Sequence, residues 1–366
     1  MRWSLPSGLG LRRFRRAAGI ASAATQSPRM NPPALPASRG GIGMVQISDF
    51  GSNPGQLRML AYVPEIAPTA GAPLLVLLHG CGQTAREFAR DAGWVALAER
   101  LRLPLVLPEQ TEQNNRNLCF NWFHQGDAVR GRGEALSIRQ MVAEAIRRFA
   151  SDPKRVYVVG LSAGGAMAAA LLAAYPEVFA AGATVAGLPV GSARNATQAF
   201  ACMSSAETGR TAAEWAARAR AAGPENYRGQ WPRISIWHGA QDRAVDPRNS
   251  ENLVAQWTAL HGIKAAAARE SSIAPGARRR VWGAPDRPVV ESWVIETLAH
   301  GFPLGRGRAP ELAPHAGADV QSLLSQWNGI ASLGQAWPLA GSQGSRWVQE
   351  VGIDAAEAIT RFCAIA

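Results

Sequence analysis

The chain has 366 residues, enough to bury the core of one large α/β domain or two smaller ones. Its 38 basic and 27 acidic residues leave a formal charge of +11. The only lysines are Lys154 and Lys264, and an arginine-rich chain without a helix-turn-helix, zinc-finger or RNA-recognition signature argues against nucleic-acid binding. No apolar run is long enough to cross a bilayer, so stable membrane association is not expected.

Residues 1–43 are rich in Arg, Pro, Ser, Ala and Gly and lack periodicity, which places them outside the fold as a disordered or targeting segment. Arg12, Arg13, Arg15 and Arg16 ahead of an apolar run at 17–25 resemble a twin-arginine export signal. From Met44 the punctuation becomes regular. Residues 44–47 and 57–63 read as antiparallel strands joined through Gly51, Asn53, Pro54 and Gly55. Residues 74–78 are continuously apolar, as in a strand buried on both faces. Thr84 is placed to cap one helix over 85–101, and 103–107 is the next strand. The loop 108–133 follows, with Asn114, Asn115, Asn117, Trp122, Phe123 and His124; loops of this length inside a compact domain are usually functional.

A helix over 135–150 is broken by Asp152-Pro153, and a short apolar strand, 156–159, comes next. Further elements are a strand at 182–186, a helix at 212–222 in a region expected to form a lid, a strand at 234–237 and, at 253–260, part of a helix. Residues 278–282 and 289–298 form a hairpin around Gly283-Ala284-Pro285-Asp286, and one helix spans 348–363. Strands alternating with helices give an α/β class: a mostly parallel central sheet covered on both faces, with inserted loops, in one domain over 44–366.

The chemistry centres on Gly160-Leu161-Ser162-Ala163-Gly164, set between a buried strand and the helix formers of 166–174. Strand, tight turn and helix make this pentapeptide a nucleophile elbow, with Gly160 and Gly164 where a Cβ would collide. A serine hydroxyl needs a base, the base needs a carboxylate, and the attacked carbonyl needs two donors for its developing charge. In the chain order of this architecture the acid is Asp242, just after a buried strand, with Asp246 as its rival. The base is His300, in Leu298-Ala299-His300-Gly301, chosen over His79, His124, His238, His261 and His315; His238 reads as a loop buttress. The N–H groups of Ala163 and Cys81 are the expected oxyanion donors. Cys81, Cys119, Cys202 and Cys363 lack metal-ligand spacing, so no metal site is expected, and they allow three disulfide pairings. Cys119 is a candidate partner for Cys81, against a pair of buried free thiols; Cys202–Cys363 would follow by subtraction.

Together, His79-Gly80-Cys81-Gly82-Gln83-Thr84, Cys119-Phe120-Asn121-Trp122-Phe123, Gly160-Leu161-Ser162-Ala163-Gly164-Gly165, His238-Gly239-x-x-Asp242 and His300-Gly301 resemble the poly(3-hydroxybutyrate) depolymerase-like esterases, relatives of feruloyl and acetylxylan esterases among the α/β-hydrolases. The resemblance implies serine carboxylic-ester hydrolysis on a small or polymeric ester, without a cofactor, in an extracellular or periplasmic setting, with the cytoplasm as the alternative. It carries over Ser162 as nucleophile, Asp242 as acid, His300 as base, Cys81 and Ala163 as oxyanion donors, and a Cys81–Cys119 disulfide. It also implies that Trp122, with Asn121 beside it, lines the substrate cleft. A peptidase or thioesterase on the same triad, or a binding protein that kept the fold, are the alternatives.

Overall fold

The computed structural model describes residues 43–307 and 347–365. The N-terminal segment, its arginine run and His315 lie outside the described residues.

Ten strands form one sheet: β1 (Met44–Ile47), β2 (Arg58–Tyr62), β3 (Leu74–Leu78), β4 (Leu105–Glu109), β5 (Val156–Leu161), β6 (Ala181–Val185), β7 (Arg233–Gly239), β8 (Arg269–Ala274), β9 (Ala277–Gly283) and β10 (Pro288–Ile295). Their order is β1-β2-β4-β3-β5-β6-β7-β10-β9-β8. The six strands from β4 to β10 in that order run parallel, and an antiparallel pair flanks each side. This is the α/β-hydrolase arrangement.

Alternation along the strands divides the apolar residues between two cores. Leu74, Val76 and Leu78 of β3, with Val156 and Val158 of β5, face one side. There they meet α3 (Gly133–Phe149), α4 (Ala163–Ala174), α6 (Ala212–Ala222) and α7 (Arg248–Leu260). Leu75, Leu77, Tyr157, Val159 and Leu161 face the other side, against α1 (Ala85–Asp91), α2 (Trp94–Leu101) and α8 (Ala355–Cys363). Helix α4 is buried all round: its Ala-Gly-Gly-Ala start lets it lie close on β5 and β6, while α3 and α6 cover its outer side. A short helix, α5 (Ala196–Ser204), lies between β6 and α6 in the chain.

Three sequence expectations change, and one strand is added. The single helix over 85–101 is two helices, because Gly93 takes a left-handed φ of +78° and starts a new axis at Trp94. The helix expected over 348–363 begins only at Ala355, capped by Asp354. Residues before it form β12 (Val348–Glu350), parallel to β11 (Phe302–Leu304). The edge strand β8 was not anticipated; five of its six residues are exposed, so it has little apolar alternation to read. Finally, α6 is a wall of the core and not a lid. Trp215 and Ala219 are buried, Gln256 of α7 donates to the Trp215 carbonyl at 3.0 Å, and a Cβ on Gly223 would lie 2.5 Å from Ala173 O, at the end of α4 farthest from Ser162.

Candidate active site

Ser162 stands between the last residue of β5 and the first of α4, with φ 57° and ψ −117°. A left-handed φ at a non-glycine residue is strained, and the packing around it holds it there. A Cβ on Gly160 would come within 2.1 Å of Gly164 O, and one on Gly164 within 2.3 Å of Leu78 O. Strand and helix therefore touch backbone to backbone, and no other residue type fits either position. Ser162 N donates to Val185 O on the neighbouring strand at 2.8 Å, which fixes the turn from below.

Three loops beyond the carboxyl ends of β5, β7 and β10 converge on the Ser162 hydroxyl. His300 Nε2 is 2.9 Å from Ser162 Oγ, and His300 Nδ1 is 2.8 Å from Asp242 Oδ2. Asp242 is an acceptor, so Nδ1 carries the proton and Nε2 is free to accept from the serine. Asp242 is buried and receives the N–H groups of Ala244 and Val245 on Oδ1, at 2.8 and 2.9 Å. Burial pushes its pKa up, but His300 and a bond from His238 outweigh this and hold the carboxyl well below the ordinary range.

Asp246 sits elsewhere. Its carboxylate receives the Ala206 N–H and the Arg248 backbone and guanidinium, the turn-forming role of an aspartate ahead of a helix. His238 is the buttress expected of it: Nε2 lies 3.1 Å from Asp242 Oδ2 and 3.0 Å from Val245 O. Both partners are acceptors, so Nε2 carries the proton, and one imidazole on each side grips the same carboxylate oxygen.

The loop after β3 lies against Ser162: a Cβ on Gly80 would be 3.6 Å from Ser162 Cβ. Within this loop the amides of Gly80, Gly82 and Gln83 are taken, by Gln83 Oε1, Asn117 O and Gly80 O. Among the described residues no acceptor takes the N–H of Cys81 or of Ala163, the first residue of α4, where helix amides have no internal partner. These two amides are the pair expected from the sequence.

Cys81 is bonded to Cys119, 38 residues on. Cys202 and Cys363 are separate buried thiols, not a second bridge: Cys202 is packed in the core on the α4 side of the sheet, and Cys363 in the core on the other side. On the chain-entropy model, closing a 38-residue loop stabilises the fold by about 4 kcal/mol. We expect Cys81→Ala with Cys119→Ala to lower the unfolding free energy by about that amount in guanidinium titrations; an unchanged midpoint would contradict it.

The long loop is not loosely attached. Glu134, in the first turn of α3, is fully buried and receives Gln110 Nε2 at 2.7 Å, Asn114 Nδ2 at 2.9 Å, and both Asn121 N and Asn121 Nδ2 at 2.8 Å. Burial drives its pKa up to about 8, against the pull of the Gln110 and Asn121 donors. Asn121 is therefore not free for substrate: its amide nitrogen goes to Glu134 and its oxygen accepts from Asn115 Nδ2 at 2.8 Å. Trp122 is 8% exposed and packs edge-on against Phe123, so little of the indole faces outward.

Sequence reasoning also missed how His300 is seated. Gln349 of β12 donates to His300 O at 3.2 Å and accepts from Ala299 N at 3.0 Å, and the Trp347 ring stands edge-on to the imidazole at 6.1 Å. A Cβ on Gly301 would fall 2.7 Å from Gln349 Nε2, so the glycine after His300 makes room for this clamp. No cluster of His, Cys, Asp or Glu among the described residues could hold a metal ion.

A family model described as "Esterase PHB depolymerase" matches residues 57–280. Poly(3-hydroxyalkanoate) depolymerase C of Paucimonas lemoignei is 43% identical over 277 residues, 76% of this chain and 66% of that protein, so the chain spans about two thirds of that relative's length. An acetylxylan esterase of Coprinopsis cinerea is 34% identical, covering 74% of this chain and 71% of its own. The solved acetyl xylan esterase of Aspergillus awamori superposes with a TM-score of 0.65 at 26% identity, over 70% of this chain and 94% of its own.

Proposed function

We propose a reaction from one premise: this chain belongs to the PHB depolymerase family of esterases, whose named relatives are carboxylic-ester hydrolases. Ser162 is the nucleophile, His300 the base and Asp242 the acid. His300 Nε2 takes the Ser162 proton as Oγ bonds to the ester carbonyl carbon. The carbonyl oxygen becomes an oxyanion that accepts from Cys81 N–H and Ala163 N–H. Collapse of this intermediate breaks the ester C–O bond, and the imidazolium gives its proton to the leaving alcohol. A water, deprotonated by the same imidazole, then attacks the acyl-enzyme; the acid is released and Ser162 regains its proton. The observation that carries the reading is the unbroken chain of short contacts from Asp242 Oδ2 through His300 to Ser162 Oγ, 2.8 and 2.9 Å.

For the substrate we propose esters of 3-hydroxyalkanoic acids. Support comes from the higher identity to the hydroxyalkanoate depolymerase, 43%, than to the acetylxylan esterase, 34%. On this reading Trp122 meets the substrate only through the small part of the indole left exposed. An oxidising setting outside the cytoplasm accords with the Cys81–Cys119 bond. The test is a panel of 3-hydroxybutyrate oligomers, feruloyl esters and acetylated xylan. The highest kcat/KM is expected on the hydroxybutyrate oligomers; a preference of tenfold or more for a feruloyl or acetyl ester would overturn the assignment.

A further inference from the structure

Glu134 carries no role in the reaction as written, yet its carboxyl receives four N–H groups, as many as that of Asp242. It is buried, on a helix, and has no arginine or lysine among its partners; every contact to its two oxygens is an N–H. The orientation of those amides is set independently. Gln110 Oε1 accepts from the Thr111 N–H at 2.9 Å, which turns Nε2 towards Glu134 and the Cys119 carbonyl, 2.8 Å away. Asn114 Nδ2 also meets Gly55 O and Gln110 Oε1, both acceptors, so it too must present its NH₂ group. Beside this cluster, Asp127 Oδ1 accepts the Glu134 backbone N–H at 3.3 Å.

Two routes lead from this carboxylate to Cys81. In the first, the Gln110 backbone N–H donates to His79 Nε2 at 3.1 Å. Nε2 is therefore the acceptor, and Nδ1 carries the proton that it donates to Gly80 O at 2.8 Å. That bond fixes the carbonyl immediately before the Cys81 amide. In the second, Gln110 holds the Cys119 carbonyl while Glu134 holds Asn121 twice, so the segment bearing Cys119 is pinned on both sides of the disulfide to Cys81.

We propose that Glu134 is a positioning residue for catalysis, anchoring through Gln110, His79 and the Cys119 segment the loop that aims the Cys81 N–H at the developing oxyanion. This rests on the reading of Cys81 as an oxyanion donor. A carboxylate offers acceptor capacity for all four N–H groups; a carboxamide of the same shape turns an NH₂ group against at least one of them and loosens the anchor without opening a cavity.

The experiment compares wild type, Glu134→Gln and Asn121→Ser at pH 9, above the value of about 8 to which burial raises Glu134. Three quantities are read on p-nitrophenyl butyrate: kcat, KM, and the affinity of a butyl boronic acid, which forms a tetrahedral adduct on the serine. A non-hydrolysable ether analogue serves as the ground-state ligand. For Glu134→Gln we expect kcat to fall about 10- to 100-fold, less than the 10²–10³ of removing an oxyanion donor outright. Boronate affinity should fall by the same factor, with KM and ether affinity within threefold of wild type. Asn121→Ser, which keeps the carboxylate and removes one donor, should show the same pattern more weakly, and it carries the test if Glu134→Gln does not fold. Equal kcat and boronate affinity per folded molecule, with only the melting temperature lowered, would overturn the proposal, as would a loss confined to KM. Ser162→Ala runs alongside: if it is inactive while Glu134→Gln is unimpaired, this inference alone fails, and if Ser162→Ala is active the triad reading fails first.

Discussion

Ser162→Ala will lower kcat on p-nitrophenyl butyrate by about 10⁵- to 10⁶-fold without unfolding the protein. The magnitude follows from what the hydroxyl does: removing a serine nucleophile from a triad enzyme leaves only binding and the oxyanion donors, which sustain a small fraction of the rate. The fold should tolerate the change, because Ser162 makes its structural bond through the backbone, to Val185 O, and among the described residues its side-chain hydroxyl bonds His300 alone. Alanine keeps the Cβ and so keeps the elbow's positive φ, which Gly160 and Gly164 make room for. Active-site titration with a fluorophosphonate measures the loss of the nucleophile directly, and circular dichroism checks the fold. Retention of even a hundredth of the wild-type rate in a folded variant would end the assignment.

Asp242→Asn is expected to cost about 10⁴-fold in kcat, the effect of presenting the base with the wrong tautomer. An asparagine at this position can turn its NH₂ towards His300 Nδ1, which must then accept; the proton moves to Nε2, and the serine faces a donor instead of a base. Here the change is harsher than in a site with one histidine. Asp242 Oδ2 meets two imidazoles, His300 Nδ1 at 2.8 Å and His238 Nε2 at 3.1 Å, and an amide nitrogen there would leave the His238 N–H with Val245 O alone. The same carboxylate predicts acid sensitivity. Its folded pKa is depressed below the ordinary 3.8, so the stability it contributes is complete above that value and is lost as pH falls through and below it. Wild type should therefore lose melting temperature more steeply than Asp242→Asn in this acid range. Parallel pH-dependent melting curves for the two proteins would contradict the charged buried carboxylate.

The parts of the site that could be read in sequence are those fixed by local sterics or by position along the fold. The elbow is legible because only glycine fits at Gly160 and Gly164, and that leaves a mark in five residues. Asp242 and His300 are legible because they follow buried apolar runs, now β7 and β10, where loops of a parallel sheet gather at one edge. The anchoring carboxylate was not legible. Gln110, Asn114 and Asn121 lie 24, 20 and 13 residues before Glu134, and nothing in the spacing tells which polar residue of a long loop turns inward. Asn121 was misjudged for that reason: in sequence it is a polar residue beside a tryptophan, and in space both ends of its amide are occupied. Pairing Cys202 with Cys363 by elimination failed because a cysteine count carries no information about which face of a sheet each residue occupies. The strand β12 escaped notice because three residues are too few to show an alternation, and the break at Gly93 because a lone glycine inside a helical pattern is more often tolerated than decisive.

The clamp on His300 puts part of the support for the reacting groups in a different stretch of chain from the groups themselves. A polypeptide ending at Gly307 would contain the nucleophile, the acid, the base and both amides, yet it would lack Gln349, whose amide grips the carbonyl of the histidine itself, and Trp347, whose ring stands beside the imidazole. Such a fragment would keep Asp242 against His300 Nδ1 and still lose the contacts that seat the backbone of His300 and its neighbour Ala299, so support for the proton relay extends into a stretch of chain well beyond the last member of the triad.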